Sequence, residues 1–263
     1  MSSLEVIPRM RVRAGKLDGF KRRVAECVRL TKESGTPVLR YDWFLSKDGT
    51  ECELRELYPD VQAFVALHMK TAEATAVLFN EFADDHRVGI YDPPPELVQR
   101  LRTGPTRGNV TFYSFFQGLE PEQPPWHSSV VFEVAAHMTV RTGRLDKFKA
   151  QAAEMMRLSR ELDTHTLRYD WYLSEDNAEC DVREAYVSEA GLIEHNDHIK
   201  EARQKLFSDS ADNHLMTVYS EASQQLVDLM RVHAGGARWP SFLQGLEPTP
   251  TAIDLTASLA VST

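Results

Sequence analysis

The feature that most constrains this chain is an internal repeat at an offset of 128 residues. Leu39-Arg40-Tyr41-Asp42-Trp43-Phe44-Leu45-Ser46 returns as Leu167-Arg168-Tyr169-Asp170-Trp171-Tyr172-Leu173-Ser174, and only Phe44/Tyr172 differs. The same offset carries Glu51-Cys52-Glu53-Leu54-Arg55-Glu56 onto Glu179-Cys180-Asp181-Val182-Arg183-Glu184. It also carries His86 and Tyr91 onto His214 and Tyr219. Near the end of each copy the register slips to 127, where residues 115–121 match residues 242–248. Such a chain must fold as two copies of one structural unit, and each assignment can be tested twice. The units are placed at 1–121 and 129–250. Between them Pro121-Glu122-Gln123-Pro124-Pro125 reads as a stiff linker, because proline fixes φ and lacks a backbone donor. After Pro248, small and polar residues running to Thr263 suggest a frayed tail.

Each unit shows the same alternation of periods. Residues 6–13 and 131–141 are rich in strand formers and are followed by Gly15 and Gly143. Next come Leu17, Phe20, Val24 and Cys27, matched by Leu145, Phe148, Ala152 and Met155. Spacings of three, four and three describe one face of a helix. The Leu-Arg-Tyr-Asp-Trp run then alternates with period two. Leu167, Tyr169, Trp171 and Leu173 share one face, with Arg168, Asp170 and Tyr172 on the other, which is the pattern of a strand. Turn residues (Lys47-Asp48-Gly49, Glu175-Asp176-Asn177) precede a second strand. A second helix carries Phe64, Leu67, Thr71, Ala74 and Leu78, against Leu192, His195, Ile199, Ala202 and Leu206. A fourth strand begins near His86 and His214. The order β-α-β-β-α-β is ferredoxin-like: an α+β unit with both helices on one face of an antiparallel sheet. The helix-free face needs cover, and the covalent twin can supply it, giving a barrel-type pseudo-dimer. A short extra helix and a Gln-Gly-Leu strand are appended to each unit.

Composition bounds the partners. With 30 basic and 39 acidic residues the formal net charge is −9, which gives no footprint for nucleic acid or an anionic membrane. There is no apolar run long enough to span a bilayer, and the first residues lack a secretory signal's apolar stretch. Three cysteines without metal-type spacing argue against a disulfide framework, so a cytoplasmic location is expected. No glycine-rich nucleotide motif is present.

Arg183-Glu184-Ala185-Tyr186, followed by an acidic helix start and then Leu192-Ile193-Glu194-His195, resembles the third strand and second helix of the antibiotic biosynthesis monooxygenase family. That family belongs to the dimeric α/β-barrel superfamily. The Leu-x-Tyr-x-Trp strand and the Gly143-Arg144-Leu145-Asp146-Lys147-Phe148 helix start also fit. The likeness covers both units, about 6–91 and 131–219, but not the appended elements. It implies a small cavity between sheet and helices. It further implies oxidation of an aromatic quinol, anthrone or polyketide-like molecule by molecular oxygen, with no metal, flavin or other cofactor. Relatives in the superfamily make heme binding or degradation an alternative, and a non-catalytic ligand-binding or assembly module is another. The internal pseudo-dimer could also pair as a homodimer.

Among candidate residues His195 stands out, since it falls on an apolar helix stripe where the first copy has Leu67. It is either a general base near neutral pH or a core histidine held by a carboxylate or carbonyl. Tyr169 and Asp170 are the other catalytic candidates. Trp171, Arg168, His198, Trp43, Tyr41 and His68 are the substrate-binding ones, with aromatics to stack on a planar ring and arginine to clamp an acid. The structural alternatives are sheet core for the aromatics and Arg–Asp ion pairs for the charged pairs. His195 and His198 could share a metal, but no third ligand is evident, and no metal site is assigned.

Overall fold

The computed structural model describes residues 3–103, 109–119, 132–233 and 237–246. The proline-rich linker and the tail beyond Pro248 lie outside them. The first unit runs β1 (Leu4–Val12), α1 (Leu17–Glu33), β2 (Arg40–Leu45), β3 (Glu51–Tyr58), α2 (Val61–Val77), a π-helical turn over Leu78–Phe82, β4 (Ala83–Tyr91), α3 (Pro95–Thr103) and β5 (Val110–Gln117). The second runs β6 (Phe132–Val140), α4 (Leu145–Leu162), β7 (Thr166–Ser174), β8 (Glu179–Tyr186), α5 (Glu189–His198), α6 (Lys200–Asp209), β9 (Ala211–Val218), α7 (Gln224–His233), β10 (Ala237–Arg238) and β11 (Ser241–Gln244). This is the expected α+β architecture of two tandem ferredoxin-like units.

Local chemistry sets the elements. In the β2–β3 and β7–β8 hairpins the turn needs a positive φ, which Gly49 (72°) and Asn177 (55°) each supply. On α1, Phe20, Val24 and Cys27 are buried against the sheet, and on α4 Phe148, Ala152 and Met155 are. Each unit thus has its own apolar core between sheet and helices. Three features differ from the sequence expectation. His86 and His214 lie inside β4 and β9 rather than at their starts. In the second unit the second helix breaks at Ile199 (φ −90°, ψ 0°) into α5 and α6, whereas α2 passes the same position unbroken. The appended strands, finally, cross over to the other unit.

That crossing makes the barrel. β5 lies parallel to β4 of its own unit and antiparallel to β7 of the twin. In the second unit β10 pairs parallel with β9, and β11 pairs antiparallel with β2 of the first unit. The full order is β10-β9-β6-β8-β7-β5-β4-β1-β3-β2-β11. Its two ends, β10 and β11, are separated only by Trp239-Pro240, where proline cannot donate to a ladder. The sheet therefore closes on itself and leaves no long free edge among the described residues.

The helix-free faces meet inside this barrel, and the surface they bury is charged rather than oily. Glu5 of β1 faces Arg168 (3.0 Å), Arg55 (3.5 Å) and Arg183 (3.8 Å). Its repeat partner Glu133 of β6 takes a two-pronged bond from Arg40 (2.7 and 2.8 Å) and one from Arg55 (2.9 Å). Both carboxyls are buried, which raises their pKa, but the arginines more than offset this and hold each at about 2. Removing one partner of such a buried pair costs about 3–5 kcal/mol, so the clamps fix how the units dock. Small aromatic clusters fill the remaining space: Ile7, Tyr91 and Tyr113 with Tyr172, and Phe44 with Ala135 and Tyr219.

Candidate active site

Period-two alternation sends Tyr169 and Trp171 of β7 toward α4 and α5, and Arg168 and Asp170 the opposite way, toward the twin. Tyr169 and Trp171 are each 1% exposed, in the second core. Facing them across the sheet–helix gap is His195, also 1% exposed, with its ring edge-on to Tyr169 at 4.5 Å between centroids. Tyr186 of β8 is the third ring, at 5.5 Å.

The His195 ring is fixed by a carboxylate. Asp163, one residue past α4, has a side chain 2% exposed and receives Nδ1–H of His195 and Nδ1–H of His198, each at 2.7 Å. Ser159 also donates to it, at 2.5 Å. Burial pushes the Asp163 carboxyl up, but the hydrogen bonds and charge of His195, with Ser159 and His198, hold it well below its ordinary value. An ionised carboxylate only accepts, so each histidine donates to it through Nδ1–H. Nε2 of His195 is buried and without a partner among the described residues. This histidine is thus bonded to a carboxylate through one ring nitrogen while the other has no partner among the described residues.

His195 lines a cavity of about 20 Å³, together with Tyr169, Trp171, Glu184, Arg203, His214 and the methionines 138, 155 and 216, among others. Burial raises the Glu184 carboxyl above its ordinary value, partly countered by His195, by the Tyr186 hydroxyl (2.7 Å) and by Arg203. Burial also lowers Arg203 and pushes the Tyr169 phenol far up, so that hydroxyl stays neutral and able to donate. The set puts an oriented imidazole, a guanidinium and a phenol on one small space, groups that proton abstraction and oxyanion stabilisation can use.

Other candidates separate from this group. Asp170 and Arg168 are on the opposite sheet face, bonded to each other at 2.6 Å, with Arg168 also on Glu5. Strand alternation alone puts them out of reach of the His195 cavity, which corrects the grouping of Asp170 with His195 and Tyr169. His198 stands beside His195 on the same carboxylate but is more exposed (29%). Trp43 and Tyr41 occupy the matching place in the first unit, with Leu67 where His195 stands. His68 bonds the Phe64 carbonyl at 2.9 Å and packs against the Phe64 ring, on the exposed side of α2. Asp163, Glu184 and Arg203 escape recognition from one copy alone. A signal exists in comparing copies: they align with Gly35, Glu56 and Thr75, so two of the three are charged only in the second unit. No group of three metal-ligating side chains occurs among the described residues, and no helix there is long and apolar enough to cross a membrane.

The chain matches no protein-family profile and no curated protein. Solved structures do share its fold. Two bacterial proteins described as putative monooxygenases superpose over most of the chain. The one from Fusobacterium nucleatum has TM-score 0.55 and 13% identity, covering 81% of this chain and 89% of that one. The one from Lactobacillus acidophilus has TM-score 0.51 and 11% identity, covering 82% and 92%. This chain therefore shares the fold of these two structures, with its two repeated units joined in one polypeptide.

Proposed function

We propose that this protein is a cofactor-independent monooxygenase that oxidises an aromatic quinol, anthrone or polyketide-like molecule with molecular oxygen, in the second unit. One observation carries this: the Asp163-held His195, a cavity-lining residue whose Nε2 is buried and unpartnered among the described residues. Nε2 takes a proton from an acidic phenol or from the methylene of an anthrone, and Asp163 stabilises the imidazolium that forms. Arg203 and the Tyr169 hydroxyl face the developing oxyanion. The resulting electron-rich anion reduces oxygen. One oxygen atom enters the substrate as a carbonyl and the other leaves as water. Only a base, a dry pocket and hydrogen bonds are asked of the protein.

Size decides what must move. A cavity of about 20 Å³ holds a water molecule, whereas benzene needs one of about 150 Å³. Substrate entry therefore requires the three methionines, whose side chains re-pack readily, and the α5–α6 break at Ile199 to yield. The same small volume favours a second possibility, a non-catalytic module whose pocket is filled by its own side chains. Oxygen uptake with a panel of anthrones and hydroquinones separates the two. Uptake with one oxygen atom entering the product and one leaving as water per oxygen molecule consumed supports the monooxygenase, and no uptake across the panel supports the module. Hemin titration is expected to leave the Soret band unshifted, in keeping with a cofactor-free reaction.

A further inference from the structure

Away from the His195 cavity, on the opposite side of the sheet, the two ends of the barrel differ in a way that defines a second site. At one end three rings, Tyr91, Tyr172 and Phe115, make edge contacts at 5.1 and 5.7 Å. A fourth ring, Tyr113, stacks on Tyr91 at 5.0 Å and 10°, and its hydroxyl donates to Glu179 at 2.9 Å. At the other end the repeat partners of the first three, Tyr219, Phe44 and Phe242, make the same edge contacts at 5.0 and 5.8 Å. The partner of Tyr113 is Pro240, at the break between β10 and β11. The fourth ring is missing, and in its region lies a groove of about 450 Å³. Equivalence of the two places is shown by neighbours. Gly89 abuts the Tyr113 ring, and its partner Thr217 lines the groove, as does Glu51, the partner of Glu179.

Charge changes with the ring. The groove is lined by Arg9, Arg11, Lys47, Arg87 and Arg238, where the filled end has His137, Thr139, Glu175, Leu215 and Thr111. Its carboxylates are Asp48, Glu51, Glu53 and Asp85, three of which have acidic partners at the filled end. Five cations thus meet four carboxylates where the corresponding positions of the filled end carry no Lys or Arg. Arg11 (3.7 Å) and Arg87 (3.1 Å) share the single carboxylate of Asp85, and both are more than half exposed, so their charge is incompletely neutralised and free to turn toward a ligand.

The geometry points to this groove as a binding site for a planar aromatic carboxylate. Its ring lies against Phe44, the groove-lining partner of Tyr172, on the side of the strands that Tyr113 occupies at the other end. A ring hydroxyl reaches Glu51 as the Tyr113 hydroxyl reaches Glu179, and its carboxylate draws Arg87 and also Arg238, which otherwise pairs with Glu51 at 3.3 Å. The room exceeds the roughly 150 Å³ that accommodates a benzene ring. The site does not depend on the proposed oxygen chemistry, since the sheet separates it from His195.

Calorimetric titration of the full chain with 4-hydroxybenzoate tests this, with phenol (ring, no charge) and sulfate (charge, no ring) as comparison probes. Expected are saturable one-site binding of 4-hydroxybenzoate and at least tenfold weaker binding of either comparison probe. Arg87→Leu and Arg238→Thr, which import the residues of the filled end, should each weaken 4-hydroxybenzoate at least tenfold. Pro240→Tyr, which restores the fourth ring, should abolish binding, and His195→Ala should leave it unchanged. No binding, equal affinity for sulfate or phenol, or indifference to both Arg87→Leu and Pro240→Tyr would overturn the assignment. Arg87→Leu alters an exposed side chain, so the test stands even if Pro240→Tyr fails to fold.

Discussion

The two sheet–helix pockets of this chain share a frame and differ in equipment. Both have a Tyr–Trp pair on the middle strand (Tyr41 and Trp43; Tyr169 and Trp171) and a buried Glu–Tyr pair on the next (Glu56 and Tyr58; Glu184 and Tyr186). In the first, Gly35, Leu67 and Thr75 surround that frame; in the second, Asp163, His195 and Arg203 take their places. The consequence appears in the shared glutamate. Burial pushes Glu56 up to about 8, with only the Tyr58 hydroxyl to counter it, so it is protonated and inert at neutral pH. Glu184 is raised too, but His195 and Arg203 oppose the effect. The second pocket thus has three polar groups, His195, Arg203 and Asp163, whose charges act on its glutamate, and the first has none at those positions.

The largest expected effect comes from erasing that difference. His195→Leu copies the first unit. If His195 is the base, it should cut kcat with a responsive quinol or anthrone about 10²- to 10⁴-fold, with KM moving far less. Next comes the junction that holds the units together. Glu5→Ala leaves Arg168, Arg55 and Arg183 facing a void and should cost about 3–5 kcal/mol in urea denaturation, and Glu133→Ala should cost a comparable amount. Because the folded-state pKa of both carboxyls is lowered to about 2, their contribution is present above about pH 4.5 and is lost as pH falls through 2.

Glu56 has the opposite sign. Its folded-state pKa of about 8 lies above the ordinary 4.5, so the folded chain keeps a proton that the unfolded chain gives up. Stability is full below about pH 4.5 and falls as pH rises to 8. The loss reaches a few kcal/mol, since each tenfold difference in proton affinity between the two states is worth about 1.4 kcal/mol. Glu56→Gln should flatten that decline, as read from melting temperature against pH, whereas Glu184→Gln should alter it less. The smallest effect belongs to His68→Ala, on the exposed side of α2, which should change stability by about 0.5 kcal/mol or less and leave turnover intact.

Much of this was legible in the sequence because repeats and periods are local signals. The offset of 128 gave two units, the three-four-three spacing gave α1 and α4, and the Leu-Arg-Tyr-Asp-Trp alternation sorted Tyr169 and Trp171 from Arg168 and Asp170. That sorting already held the reason Asp170 cannot join His195, since they serve opposite faces. His195 was visible as a polar residue on an apolar stripe. What could not be read were relations across space. Asp163 looks like an ordinary helix terminator until the fold brings α5 against it. The crossing of β5 and β11 into the twin's sheet depends on an unpaired edge at β7 and β2, which no local pattern announces. Sequence shows the Arg–Asp pairs of β2 and β7 as ion pairs or as a clamp for an acid, but not the charged lining of the barrel interior, because Glu5 and Arg168 stand 163 residues apart.

The inequality of the two pockets is tested most directly by oxygen consumption of three proteins on one responsive substrate: the unaltered chain, His195→Leu, and Leu67→Met as a conservative change in the first pocket. The account predicts that His195→Leu stops turnover while Leu67→Met keeps nearly all of it. Equal activity of His195→Leu and the unaltered chain, or loss on Leu67→Met alone, would contradict it.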